Sequence, residues 1–261
     1  MASVRNPAVA GLFYPDDPRE LHAMVRDFLG AVHATGTVPK AIIAPHAGYI
    51  YSGPVAASAY ARIQPARGRI TRVVLLGPAH RVGFRGLALS SADCFQTPLG
   101  RITVDQEAVK KISALPQVHV MDAAHMQEHS LEVHLPFLQE ALGEFSLVPL
   151  VVGDAEPNDV AEVLDTLWGG QETLIVISSD LSHYHDYETA QKQDRATSQA
   201  IEQLRPDDIE YDSACGRNPV NGLLHVARRL GLKAKTVDLR NSGDTAGDRA
   251  RVVGYGAYVF E

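Results

Sequence analysis

Short apolar runs and longer stretches of helical spacing take turns along the chain. The runs are "KAIIA" (40–44), "RVVLLG" (72–77), "GLALS" (86–90), "FSLVPLVV" (145–152), "TLIVISS" (173–179), "KAKTVDL" (233–239) and "VVGYGAYVF" (252–260). They are rich in Val, Ile and Leu, and several lack polar alternation, which predicts strands buried on both faces of a sheet. Helical spacing covers 54–63, 105–114, 129–142, 157–168, 186–205 and 219–230. The first of these opens on Pro54, a residue favoured in a first helical turn. Strands alternating with helices predict an α/β fold, a three-layer sandwich with a mostly parallel central sheet. Within 86–104, two short strands around Phe95-Gln96-Thr97-Pro98 read as a hairpin excursion. No repeat, low-complexity tract or linker interrupts the pattern, so residues 1–261 are expected to form one domain.

Composition adds bounds. The 261 residues are 45% hydrophobic and 21% charged, ordinary for a globular chain with one sizeable core. A formal charge of −7 without a long basic run argues against nucleic-acid or anionic-membrane partners. No apolar run has signal-peptide or bilayer-spanning length, so a cytoplasmic location is expected. Two cysteines, Cys94 and Cys215, with no C-x-x-C fit a reducing compartment.

Three of the apolar runs end in histidine-bearing loops. "AIIAPH" delivers His46, "VVLLGPAH" delivers His80, and "LIVISSDLSH" delivers Ser178, Ser179, Asp180 and His183. Open α/β sheets bind ligands outside the carboxyl ends of their strands. If these strands are neighbours, the three imidazoles share one rim. A loop histidine with no special task is the plain alternative at each position, and less so for all three together.

Other positions join these. Of Tyr49 and Tyr51 in "GYIYSGPVA", Tyr51 is the one expected at the cleft. In "EHSLEVHLPFLQEAL" (128–142), His129 and Glu132 share a face if the segment is helical. The spacing H-x-x-E-x-H matches neither metallopeptidase pattern, and Glu132 alternatively suits a helix's first turns. His129 is the better site candidate than His134. Asp180 and His183 are close enough in sequence to orient one another, but no G-x-S-x-G elbow supports a serine hydrolase. The loop "NSGDTAGDRARVVGYG" (241–256) has neither EF-hand nor Walker spacing. Its Asp244 and Asp248 are either a turn pair, or Asp244 joins His46 and His80 at a metal. Two imidazoles and a carboxylate suit non-haem iron(II), and equally zinc with a hydrolytic water.

The segments "RNPAVAGLFYP" (5–15), "APHAGYIYSGPVAA" (44–57), "LLGPAH" (75–80), "EHSLEVHLPFLQ" (128–139), "SSDLSHY" (178–184), "CGRNPV" (215–220) and "NSGDTAGDRARVVGYGAY" (241–258) span nearly the whole chain in order. On these the chain resembles the Memo family, named for a mediator of receptor-driven cell motility. Its prokaryotic members are called AmmeMemoRadiSam system protein B. The resemblance implies a fold similar to class III extradiol dioxygenases, with His46 and His80 as metal ligands and His183 as acid/base beside Asp180. It implies iron or copper as the metal, with iron(II) favoured where a carboxylate replaces a thiolate ligand, an oxidase-like activity, and radical-SAM and AMMECR-type partners. For animal members it implies a cysteine third ligand, expected in the last loop; the position assigned to it here is Thr245, so the adjacent Asp244 is expected to serve instead.

Three functions follow as expectations. One is an iron-dependent, dioxygenase-like oxidoreductase acting on a small substrate, with His183 moving protons. Another is a binding module that holds an anionic or aromatic peptide in the same cleft, with Arg81 and Arg217 receiving the anion. The third is metal-assisted hydrolysis.

Overall fold

A computed structural model describes residues 2–261. Twelve strands form one sheet: β1 (Val4–Arg5), β2 (Ala41–Ala44), β3 (Arg72–Pro78), β4 (Leu87–Leu89), β5 (Cys94–Thr97), β6 (Gly100–Val104), β7 (Val118–Val120), β8 (Ser146–Val152), β9 (Thr173–Ser178), β10 (His183–His185), β11 (Ala234–Asn241) and β12 (Val252–Phe260). The helices are α1 (Pro18–Gly30), α2 (Tyr49–Tyr60), α3 (Gln106–Ile112), α4 (Asp122–Met126), α5 (Leu135–Leu142), α6 (Pro157–Leu167), α7 (Tyr187–Glu202) and α8 (Arg217–Leu230).

The centre of the sheet runs β8-β3-β9-β2, all parallel, and β12 closes onto β2 antiparallel. Successive side chains of a strand point to opposite faces. Ile42, Ala44, Val73, Leu75, Leu174 and Val176 therefore pack with α1, α2 and α5 on one face. Ala41, Ile43, Val74, Leu76, Ile175 and Ile177 pack with α3, α6 and α8 on the other. Burial on both sides is why these strands carry no polar alternation. The expected α/β sandwich is the observed one.

Local differences have local causes. The run 86–104 splits into β4, paired with β7 and β8, and a β5–β6 hairpin turning through Pro98-Leu99. Helix α2 begins at Tyr49, so Pro54 lies inside it and not in its first turn. Its start is fixed by Tyr49 N–H donating to the Phe13 carbonyl at 2.8 Å and by the Ser52 hydroxyl bonding the Ala47 carbonyl at 2.8 Å. Helix α5 begins only at Leu135, because residues 132–134 form a tighter 3₁₀ turn ahead of Pro136. His129 and Glu132 consequently do not share a helix face. Glu132 instead is buried against the N-terminal segment. It pairs with Arg5 and accepts from Ala8 N–H, Val9 N–H and the Tyr14 hydroxyl.

Candidate metal centre

Strands β3, β9 and β2 are immediate neighbours, so the loops leaving their carboxyl ends meet. The loop after β2 is tied down by Asp180, whose carboxylate accepts His46 N–H at 2.8 Å. The His46 ring is buried at 2% exposure. Its Nδ1 lies 2.6 Å from the Ser178 hydroxyl, and that hydroxyl donates to the Ser130 carbonyl at 2.6 Å. The other ring nitrogen, Nε2, faces Cys215 Sγ at 3.4 Å.

His80 follows β3 and is held twice by Glu128: its N–H donates to Oε2 at 2.6 Å, and Nδ1 lies 2.8 Å from Oε1. Glu128 also accepts N–H bonds from His129 and Ser130, each at 3.0 Å. This turn tucks against β3 because residue 77 is glycine. A Cβ there would lie 2.7 Å from Ser130 Oγ and 2.9 Å from Leu131 Cδ2, closer than van der Waals contact allows.

Cys215 arrives from the loop that starts α8. Asp180 N–H points at its sulfur at 3.3 Å, and Gly216 N–H donates to Ser179 Oγ at 3.0 Å. A side chain at residue 216 would place Cβ 2.4 Å from the Ser178 carbonyl oxygen, so only glycine brings the thiol this near to β9. The ligand atoms of His46, His80 and Cys215 lie within 4.8 Å of one another.

These residues fit a transition metal. Both imidazoles are anchored through Nδ1, which leaves Nε2 as the nitrogen free to bind a metal, the usual arrangement behind metal-bound histidine. A thiol completes a borderline-to-soft donor set suited to copper, zinc or iron and unsuited to magnesium or calcium. A second group, His80, Glu128 and His129, has the same close spacing, but Glu128 is already saturated by N–H donors.

Burial dominates the electrostatics. It pushes His46 well below the ordinary histidine value, with the neighbouring His80 adding to the effect. His129 falls to about 4, by burial and then by His80. His183 is lowered too, mainly by burial. The Asp180 carboxyl is pushed up to about 7 by burial, against the opposing His46 N–H bond. Glu128 is held at about 2: burial pushes its carboxyl up, and the bonds from His80 outweigh it. Burial, then the Asp180 charge, raises the Cys215 thiol, so a cation entering here displaces a proton from sulfur.

The remaining expected residues are placed as follows. His129 stacks on His80, ring centroids 4.6 Å apart, and lines the cavity above the site with Tyr51. His183 sits on β10 opposite Val253 and lines the same cavity. Asp180 does not orient His183; its carboxylate is committed to the His46 loop. Asp244 is not brought to His46 and His80 either. It is exposed and caps its own turn, accepting Asn241 N–H at 3.0 Å and the Tyr187 hydroxyl at 2.5 Å. The reason is local: "NSGD" closes a capping box that satisfies the carboxylate on the spot. The third donor beside His46 and His80 is instead the Cys215 thiol of "CGRNPV", far from the last loop in sequence. Glu128 was also not among the expected site residues.

Two cavities meet at the centre. One of about 800 Å³ is lined by Tyr51, Arg81, His129, Tyr184, Arg251 and Tyr255. The other, about 770 Å³, is lined by Phe84, His185, Tyr211, Cys215, Arg217 and Asn218. His80 and His183 belong to both walls. Between them, Tyr184 adopts φ +63° at a register shift in β10, a backbone state that is uncommon outside glycine.

Comparison with known proteins agrees with this architecture. A solved uncharacterized protein of Escherichia coli K12 superposes with a TM-score of 0.51 at 12% identity, covering 84% of this chain and 98% of that one, a likeness of fold. MEMO1 family proteins of Aquifex aeolicus and Ignicoccus hospitalis are 40% and 35% identical, each over 98% of this chain and at least 98% of their own length. The family model described as Memo-like protein matches residues 5–259, which include His46, His80, His183 and Cys215. With similarity running end to end, the chain belongs to the Memo family.

Proposed function

We propose that the protein is a metal-dependent oxidoreductase in which His46, His80 and Cys215 hold one redox-active transition ion and act on a small substrate. The observation that carries the reading is the convergence of His46 Nε2 on Cys215 Sγ, with His80 beside them and both Nδ1 atoms already engaged. Iron or copper would supply a Lewis-acidic centre able to exchange electrons with oxygen or a substrate. Iron(II) keeps the place that the family resemblance gives it, and the thiol makes copper the close alternative.

The chain's own groups have separable tasks. Glu128 and Ser178 orient the two imidazoles. Asp180 fixes the loop that carries His46. His183, neutral at pH 7 because burial lowers its pKa, is free to accept a proton from a substrate in either cavity and return it later.

The test is anaerobic loading with iron(II), and separately copper(I), followed by desalting and elemental analysis. One ion per chain is expected, with large losses in His46→Ala and His80→Ala. A parent protein that retains neither metal, or variants that retain as much as the parent, would overturn the reading. Retention of zinc alone, with ester or amide cleavage and no oxygen uptake, would replace it by hydrolysis.

A further inference from the structure

The two imidazoles are held by different residues, yet both restraints lead to one short turn. His80 Nδ1 meets Glu128 Oε1 at 2.8 Å. Around that carboxylate stand three further N–H donors, from His80, His129 and Ser130, so it acts only as an acceptor. The Nδ1 atom of His80 must therefore carry the proton.

For His46 the argument passes through a serine. Ser178 Oγ has one proton and two close neighbours, the Ser130 carbonyl oxygen and His46 Nδ1, both at 2.6 Å. A carbonyl oxygen cannot donate. If Ser178 gave its proton to His46, two oxygens would face each other at 2.6 Å with nothing between them. The proton therefore goes to Ser130, and Ser178 can only accept from His46 Nδ1–H. That leaves the Nε2 lone pair of His46 facing Cys215 Sγ, whose thiol hydrogen is the one donor within reach of it.

We infer that residues 128–130 act as a tautomer lock, with Glu128 and Ser178 as positioning residues that hold His80 and His46 in the Nδ1–H form and keep both Nε2 lone pairs free for a metal. Ser130 contributes twice: its carbonyl fixes the Ser178 proton, and its own hydroxyl bonds the Pro78 carbonyl at 2.8 Å, tying the turn to the strand that carries His80. The inference rests on the proposed metal site for its purpose, but the tautomers themselves are a property of the metal-free chain.

The experiment uses both states. Long-range ¹H–¹⁵N spectra of metal-free protein labelled at histidine distinguish Nδ1–H from Nε2–H rings, with His46→Gln and His80→Gln spectra assigning the signals. Both rings should be single Nδ1–H tautomers at neutral pH. Ser178→Ala removes the only acceptor of His46 Nδ1–H, so the His46 signal should move to the Nε2–H form or a mixture, while His80 keeps its pattern. Cobalt(II), whose thiolate charge-transfer band reports the sulfur, should bind Ser178→Ala about 10- to 100-fold more weakly than the parent, as loss of groups behind metal ligands usually costs. Glu128→Ala should do the same to His80; should that variant not fold, the parent spectrum and Ser178→Ala still decide. A parent His46 or His80 protonated at Nε2 would overturn the inference. So would a Ser178→Ala protein with the parent tautomer and the parent cobalt affinity. If the parent binds no cobalt, the metal reading fails while the spectra still judge the lock.

Discussion

Cys215 Sγ lies 3.4 Å from His46 Nε2, although 169 residues separate them in the chain. One residue leaves the end of a strand and the other precedes a helix. Gly216 makes the meeting sterically permissible. The contact joins the lone pair of a buried imidazole to a thiol whose sulfur also meets the Asp180 backbone N–H at 3.3 Å.

Cys215 should therefore matter to metal binding, and Asp244 should not. Cys215→Ser is expected to abolish the thiolate band of the cobalt protein. It should also lower affinity by more than the ~10- to 100-fold typical of losing a residue behind a ligand. Asp244→Ala should titrate like the parent and lose only some stability of its own turn. If Asp244→Ala loses the metal and Cys215→Ser keeps it, the third ligand has been misassigned.

Gly216 offers a test of the same site with every ligand left in place. Gly216→Ala puts Cβ against the Ser178 carbonyl and Ser179, so residue 215 must back away from β9. Metal affinity should fall while Gly231→Ala, a glycine with open space around its Cβ position, leaves it unchanged despite a strained φ of +70°. Equal affinities in the two variants would show that the sulfur does not need its present position.

The sequence made the frame of this site legible because the frame is local. "AIIAPH" and "VVLLGPAH" are strand, stop and histidine within a few residues, and parallel strands of one sheet carry both to one rim. What was not legible depends on long-range closure. Nothing near Cys215 in sequence says that α8 starts beneath the end of β9. Nothing near Glu128 says that its carboxylate caps the loop after β3, since the approach depends on Gly77 of that distant strand. Asp244 misled for the opposite reason: an acid in a glycine-rich loop looks available until the capping box is counted. The same holds for Pro54, whose helix is started by a bond to Phe13 rather than by its own ring.

His183 is expected to be dispensable for binding and necessary for turnover. It lines both cavities but is absent from the close cluster of ligand atoms. His183→Gln should bind cobalt as the parent does, with the same thiolate band. Any oxygen uptake supported by the iron-loaded parent should be lost in the variant. A His183→Gln protein that loses the metal would place this ring among the ligands.

Glu132 is a prediction about stability. It is fully buried, pairs with Arg5, and accepts from two backbone N–H groups and the Tyr14 hydroxyl. Arg5 in turn donates to the carbonyls of His125 and Glu128, so the pair joins the N-terminal segment to the turn behind the site. Removing one partner of a buried pair strands the other charge and costs about 3–5 kcal/mol. Glu132→Ala should lose stability on that scale in urea unfolding. A loss below about 1 kcal/mol, the scale of an exposed pair, would mean that water reaches Arg5 in the folded protein.

Acid should destabilise the fold through two histidines that stand away from the metal ligands. Burial lowers His125 to about 4, against a weaker opposing bond to the Ala88 carbonyl, and lowers His134 to about 3. In the unfolded chain both titrate near the ordinary value of about 6.5. Between about 6.5 and 4, then, the unfolded chain holds protons that the folded chain refuses. Stability rises with pH wherever the unfolded state binds more protons. Each ring therefore contributes a loss of up to about 1.4 kcal/mol per pH unit as pH falls through that window, and nothing above about pH 7.5. His134 is the cleaner of the two to change, because its one bond is to the Tyr60 hydroxyl at 2.7 Å and its Nε2 has no partner. His134→Gln can keep an acceptor for Tyr60 without a titrating group. Urea unfolding at pH 7.5 and 5.0 should then show a shallower decline in the variant than in the parent, by close to one proton. Identical declines would mean that His134 takes up its proton in the folded state as readily as in the unfolded one, and that its burial is relieved at low pH.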